Sequence, residues 1–540
     1  NWVLISSNSP LSNSINATGI TDFRDRYYSI GELDPGTLND YRTISSGPWS
    51  NAGNWQRYDG TSWVAAATSP TYVNANVITV RAPHIITLNS TFIEADQLLI
   101  EAGAVINAEE AAIYIFNGPG VDLTCNGSIN LSTSDLYVNN TSQASFANGS
   151  NLSLSFSSSI RGDGTLDILA GTNFSIDGTG GPNFFDGDIT INNYTTCNFI
   201  GSGSHDFIST AKFVNQPGAN FNWSSTGNIN FTGSGNSLTN QGDFTISSGG
   251  DFVSSGGSGA LVTNQPGGII TVVNAAETTN IDADITFGNS GQLNIGTGTL
   301  EISSIAFINV GGTINIDNGA TLGGDFINYD GPTLTNNGSI TASNFTMLGG
   351  PAQQINGSGS IANLTINNGS NVNLGSNHTV TSVLTLTNGN LVTGSNNLVM
   401  TDVSSVVGGN NSSHVNGNVQ RQFTNANPGS YLLPIGDGTR YTPLLLGPSI
   451  NIGGDGAVTA FTTANDHGDI LNSGIDGSKS VNRTWTIINN SLNFSECDVT
   501  FNYSAADVDG AATQSNFVLA KLDGATWTLP AGVVPGVNSL

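Results

Sequence analysis

Val214-Asn215-Gln216-Pro217-Gly218, Thr239-Asn240-Gln241-Gly242 and Thr263-Asn264-Gln265-Pro266-Gly267 repeat one short phrase, and Ile191-Asn192-Asn193 carries its beginning. The first asparagines fall at 192, 215, 240 and 264, in steps of 23, 25 and 24. Each phrase leads into an alternating apolar run such as Phe244-Thr245-Ile246 or Ile269-Ile270-Thr271-Val272. Further on, Leu364-Thr365-Ile366-Asn367-Asn368-Gly369 returns as Leu384-Thr385-Leu386-Thr387-Asn388-Gly389, a step of 20. Period-two alternation between Asn-Gly and Gly-Gly breaks predicts short strands and turns, and no apolar periodicity of helix length competes with it. Repeats of this length, each with two or three short strands, predict one coil of a parallel β-solenoid stacked on the next at about 4.8 Å.

Composition follows from that architecture. A narrow interior takes Ile, Val, Leu and Phe, corners take Gly and Asn, and outward positions take Thr and Ser. Charges are disfavoured, because stacking places like charges about 5 Å apart at every coil. The 540 residues carry only 39 acidic and 12 basic side chains, and no Lys or Arg occurs between Phe213 and Gln420. The net charge of −27 argues against nucleic acid or an anionic membrane as partner. No apolar run is long enough for membrane insertion. The start at Asn1-Trp2 lacks a basic segment followed by an apolar one, so any signal peptide is expected outside this sequence. Cys125, Cys197 and Cys497 are odd in number and far apart, which suggests buried apolar residues rather than a disulfide framework or a zinc site.

Four regions are expected. Residues 74–415 form the parallel solenoid rod. Residues 35–73, with Trp49, Trp55 and Trp63, form an aromatic cap over its open end, a sugar-stacking platform being the alternative. Residues 416–540, where Arg421, Arg440, Lys479, Arg483 and Lys521 appear, read as a β-sandwich lacking a closing strand. Residues 1–34 supply strands of the missing kind. At a constant offset of 525, Trp2 aligns with Trp527, Leu4 with Leu529, Pro10 with Pro535, Asn13 with Asn538, Ser14 with Ser539 and Ile15 with Leu540. The segment then runs on through Phe23, Tyr28 and Ile30. The fold class is therefore all-β: a parallel β-solenoid followed by a β-sandwich that the N-terminal segment of a neighbouring unit completes. The expected junction comprises Trp2, Leu4, Ile15, Phe23, Tyr28 and Ile30 on one side and Trp485, Trp527 and Leu540 on the other. Its partner is a further copy, head to tail, whether in one continuous polypeptide or between separate chains.

Asn416-Gly417-Asn418-Val419-Gln420-Arg421-Gln422-Phe423, the run from Gly429-Ser430-Tyr431 to Gly436-Asp437-Gly438 with Tyr441 and Pro443, and Asn482-Arg483-Thr484-Trp485-Thr486-Ile487 resemble the large repetitive surface proteins of Bacteroidota. The resemblance extends to the Trp-rich stretch from Gly47 to Trp63 and to solenoid stretches such as Leu364 to Leu398. It implies export by the type IX secretion system, an extracellular place on the bacterial cell surface, and work as an adhesin or filament, with surface glycans as conceivable partners. A C-terminal sorting domain of that family is not found in this sequence.

Chemistry is sparse. A polysaccharide lyase needs a cationic base and cations for its acidic sugar, and the rod offers only Arg81, Arg161 and Lys212. A hydrolase needs carboxylates at a set separation; Asp186-Gly187-Asp188 and Asp282-Ala283-Asp284 come nearest, each read as like charges on one strand face. His84, His205, His378, His414 and His467 lack metal-ligand spacing and read as surface residues. Asp507-Val508-Asp509-Gly510 is a fragment of a calcium loop without its terminal Glu, so Asp507 and Asp509 are weak calcium candidates and no other cofactor is expected. The expectation is a structural, non-enzymatic protein, with a carbohydrate-binding or carbohydrate-active β-helix as the alternative.

Overall fold

The computed structural model describes residues 36–255, 259–303, 307–424, 430–446, 455–494 and 496–530. Over these residues the chain is all-β, built on a parallel β-solenoid of about 16 turns. Ile78–Val80, Ile85–Asn89 and Phe92–Ala95 make one turn, and Leu98–Ile100, Val105–Glu109 and Ala112–Ile115 the next. Each strand pairs in parallel with its counterpart one turn on, as in Ile78↔Leu98, Ile85↔Val105 and Phe92↔Ala112. Three sheets thus run along the rod. Turn length varies along the rod: 25 residues separate Phe213 from Leu238, and 18 separate Ile327 from Phe345.

Alternation sorts the side chains, with apolar residues inward and Thr, Ser and Asn outward. Identical inward residues then stack. Phe207 lies 4.8 Å from Phe185 and 5.4 Å from Phe231, and Phe221 stacks on Phe244 at 4.4 Å. The corners need glycine for two reasons. Gly218 and Gly267 close the Gln-Pro-Gly turns at φ +79° and +89°, and a Cβ on Gly242 would collide with the Ala219 carbonyl.

The repeated asparagine is an inward residue, and its register corrects the spacing read from the sequence. Asn193, not Asn192, pairs with Asn215, because Asn192 stands opposite Val214 on the outward side. The steps are therefore 22, 25 and 24. The column continues through Asn289 and Asn309, which the phrase does not reveal. Along it each Nδ2 donates to the Oδ1 of the next asparagine: Asn193 to Asn215, Asn215 to Asn240, Asn240 to Asn264 and Asn264 to Asn289, all at 2.8 Å, then Asn289 to Asn309 at 2.6 Å. The remaining amide hydrogen serves carbonyls of the corner, such as Gly242 O and Ile269 O for Asn240. Buried polar atoms are costly unless satisfied, and here each asparagine satisfies the next.

Three of the five histidines differ from expectation in the same way. His205, His378 and His414 are buried, while His84 and His467 are partly exposed. His378 accepts from Asn336 Nδ2 through Nε2 at 3.1 Å and faces Gly357 O through Nδ1 at 3.2 Å, the pattern of a neutral ring. Burial pushes its pKa down to about 4. His205 lies 4.3 Å from Phe199 with neither ring nitrogen hydrogen-bonded, and burial pushes it down to about 3.

At the N-terminal end, Tyr41–Thr43 pairs in parallel with Ile78–Val80 and Gly47–Pro48 with Ile85–Asn89, so the Trp-rich region contributes strands to the stack. Trp55 and Trp49 are buried edge to face at 4.7 Å, Trp55 Nε1 donating to Trp49 O and Trp49 Nε1 to Pro70 O. Buried in this way, those two rings offer no sugar platform. Trp63 lies under the Arg42 guanidinium at 4.1 Å.

Candidate assembly junction

The solenoid passes into its C-terminal sheets through one strand. Val415–Phe423 pairs in parallel with Leu391–Met400 on one side and antiparallel with Gly456–Ala464 on the other. Gly456–Ala464 in turn pairs antiparallel with Arg483–Asn490. A separate antiparallel sheet is formed by Tyr431–Leu433, Leu444–Leu446 and Val499–Phe501. The sheets meet where Trp485 packs edge to face on Phe501 at 5.3 Å and donates to Thr442 O at 3.3 Å.

A buried charge network fixes Arg483–Asn490. The Arg483 side chain is fully buried, its Nη2 donating to Asp437 Oδ2 at 2.7 Å and its Nε to Asp507 Oδ2 at 2.8 Å. Arg440 Nε reaches the other Asp507 oxygen at 3.1 Å. Burial alone would raise the Asp437 carboxyl, but bonds from Arg483, from Thr439 and from the Arg440 N–H hold it well below the usual carboxylate range. Burial alone would lower Arg483, and its bonds to Asp507 and Asp437 keep it above its ordinary value. The adjacent Gly438 N–H donates to His414 Nε2 at 3.0 Å, while His414 Nδ1 faces Asn410 O at 3.1 Å. Burial lowers the His414 pKa, consistent with a neutral ring. The Gly436-Asp437-Gly438 loop thus ties the last coil to the strand that begins at Arg483.

Beyond that strand the packing is open. Among the described residues, Arg483–Asn490 pairs along its length with one strand only. Ile487 and Ile488 are 41% and 46% exposed, and consecutive residues of a strand face opposite ways, so apolar side chains reach solvent on both faces. Phe494 is 41% exposed nearby in sequence.

The expected junction residues fall in three groups. Trp485 lies on this strand. Trp527 sits on the hairpin of Lys521–Asp523 and Thr526–Thr528, where it donates to Asp469 Oδ2 at 3.0 Å and packs edge to face against His467. Trp2, Leu4, Ile15, Phe23, Tyr28, Ile30 and Leu540 lie outside the described residues. Sequence reasoning passed over Asp437, Arg440, Arg483, Ile487 and Ile488 as site residues. A signal was present in two rare basic residues, Arg440 just after Gly436-Asp437-Gly438 and Arg483 just before Trp485.

The carboxylates flagged for other chemistry are engaged. Asp507 takes two guanidinium groups, and Asp509 accepts from Ser480 N and Asn482 Nδ2, both at 2.8 Å, which leaves neither disposed as a calcium ligand. Among the described residues no three His, Cys, Asp or Glu side chains are grouped to hold a metal. Asp186 pairs with Arg161 at 3.0 Å and Asp188 with Lys212 at 2.8 Å. Gly187, at φ +91°, turns the chain between them, and Asp282 and Asp284 follow the strand Ile269–Ile281, so neither carboxylate pair shares a strand face. No protein-family model, curated protein or solved structure matches the chain.

Proposed function

We propose that this protein is an extracellular structural unit that assembles head to tail into a surface filament, its C-terminal sheets being completed as a β-sandwich by the N-terminal segment of the next unit. The observation that carries the reading is the strand Arg483–Asn490, which pairs with one described strand and exposes Ile487 and Ile488 on opposite faces. Such an edge is a template for strand addition, where main-chain hydrogen bonds give affinity and alternate side chains give register. The first thirty residues supply a suitable donor, with apolar residues at Trp2, Leu4, Ile15, Phe23, Tyr28 and Ile30.

Distance favours a neighbour over self-closure. About 16 turns at about 4.8 Å give a rod of about 75 Å. The dozen or so residues from Ile30 to Tyr41 reach at most about 40 Å when fully extended. The donor therefore completes another copy. Deleting residues 1–30 is expected to abolish fibres in negative-stain micrographs while leaving the circular dichroism of the solenoid intact. Fibres that persist after the deletion would refute the junction.

A further inference from the structure

We propose that the outward face of the first turns is a binding site for a neutral glycan, seated in the cleft between residues 69–71 and the strand Phe92–Ala95. The cleft has a volume of about 170 Å³, and Ser69, Pro70, Thr71, Phe92 and Glu94 are among the residues that line it. Its walls alternate apolar surface with hydroxyl groups around a single carboxylate. That is the complement of a pyranose, whose C–H faces are apolar and whose rim is made of hydroxyls.

A chain of aromatic rings continues from the cleft along the rod. Phe92, 62% exposed, meets Tyr114 at 6.1 Å and 88°. Tyr114 stacks on Tyr137 at 4.4 Å and 11°, and Phe116 joins Tyr114 to Tyr72, which is 46% exposed. Tyr114 and Tyr137 come from successive turns, so their plates stack along the axis, and Phe92 is rotated to lay its plane along that axis instead. The residue opposite Phe92 one turn on is Ala112, which leaves room beside the ring. Rings of this kind hold apolar faces, and phenol groups add hydrogen bonds at the wet edge.

Charge selects the class of sugar. Glu94, Tyr114, Tyr137 and Arg161 form one outward column in register. The Glu94 carboxylate has no hydrogen-bond or ion-pair partner among the described residues and is placed to accept from sugar hydroxyls. Arg161, the cation of this column, is held between Asp135 at 3.6 Å and Asp186 at 3.0 Å, so it is not available to a uronate or sulfate group. Ala112–Ile115 and Asp135–Val138 are paired along both edges, so recognition over the tyrosines is by side chains, while Phe92–Ala95 pairs only with Ala112–Ile115 among the described residues. A glycan extended along the rod would lay successive sugars over Phe92 and the tyrosines.

The test is titration calorimetry of the full chain with neutral hexasaccharides from β-glucan, mannan, xylan and chitin, and with hexagalacturonate as the acidic control. At least one neutral oligosaccharide should bind and hexagalacturonate should not. Phe92→Ala should weaken that binding about tenfold or more and Phe92→Trp should preserve it, the loss of one stacked ring being of that order. Glu94→Gln should weaken it by a smaller factor with circular dichroism unchanged. No binding by any neutral sugar, or binding indifferent to Phe92→Ala, would overturn the proposal. So would a photo-cross-linker at position 92 that captures residues 1–35 or a second copy, since it would identify a protein occupant.

Discussion

In the middle of the rod Asn240 receives an amide from Asn215 and gives one to Asn264, and the strand that carries it is paired on both sides. At the C-terminal end Arg483–Asn490 has one described neighbour and leaves Ile487 and Ile488 in solvent. The same physics produces both. Stacking satisfies a strand edge, a buried amide or an aromatic face by offering the next turn, and the last turn has nothing further to offer. The protein handles the change with a different device, a buried cation shared by two aspartates, which fixes Arg483–Asn490 without covering its outer edge. The interior of the solenoid is therefore self-sufficient, whereas Arg483–Asn490 keeps one edge without a described neighbour.

The contrast is broken most severely at Arg483. Arg483→Met leaves Asp437 and Asp507 buried with their shared cation gone, and removing one member of a buried pair costs about 3–5 kcal/mol. Hydrogen exchange should show early opening of Gly456–Ala464 and Arg483–Asn490 while the amides around Asn215 to Asn289 keep their protection. Uniform loss along the chain would show that the two regions do not differ in the way described.

Acid should act on the interior. His378 is depressed to about 4 and His205 to about 3, so below about pH 6.5 the unfolded chain takes up protons that the folded chain refuses. Stability is full above that pH and declines as pH falls towards 4, by on the order of 3 kcal/mol for His378. Thermal melts at pH 7, 5 and 4 measure it, and His205→Phe should flatten the profile. A melting temperature independent of pH over that range would contradict the buried neutral rings.

A smaller effect is expected from Asn240→Ala, which leaves Asn264 Oδ1 without its donor and Asn215 Nδ2 with one acceptor fewer, at about 1–3 kcal/mol. Chemical denaturation would register it as a shifted midpoint with an unchanged slope. The smallest change in stability, about 0.5 kcal/mol or less, is expected from Ile488→Thr on the exposed face, together with loss of fibre formation. Normal fibres from that variant would separate the exposed edge from assembly.

The rod was legible in the sequence because one short phrase recurs at coil length and alternation of period two leaves little choice of strand. Its polar interior was less so. Two adjacent asparagines, 192 and 193, fit the phrase equally well, and only register decides which faces in. Asn289 and Asn309 lack the Gln-Pro-Gly sequel that marks Asn215 and Asn264. His205, His378 and His414 looked like surface residues because hydropathy ignores the partners that stacking and tight corners supply. The open edge was hidden for another reason: whether Arg483–Asn490 has one neighbour or two depends on pairings between distant segments. What the sequence did offer there was Trp485 and a rare arginine two residues before it.

The central claim is that the first thirty residues of one unit pair with Arg483–Asn490 of another. It is tested most directly by mixing isotopically heavy and light copies, each with a photo-cross-linking residue at position 488, and mapping the cross-linked peptides by mass spectrometry. The account predicts heavy–light cross-links between position 488 and residues 1–30. Cross-links confined to single chains, or none to residues 1–30, would contradict it.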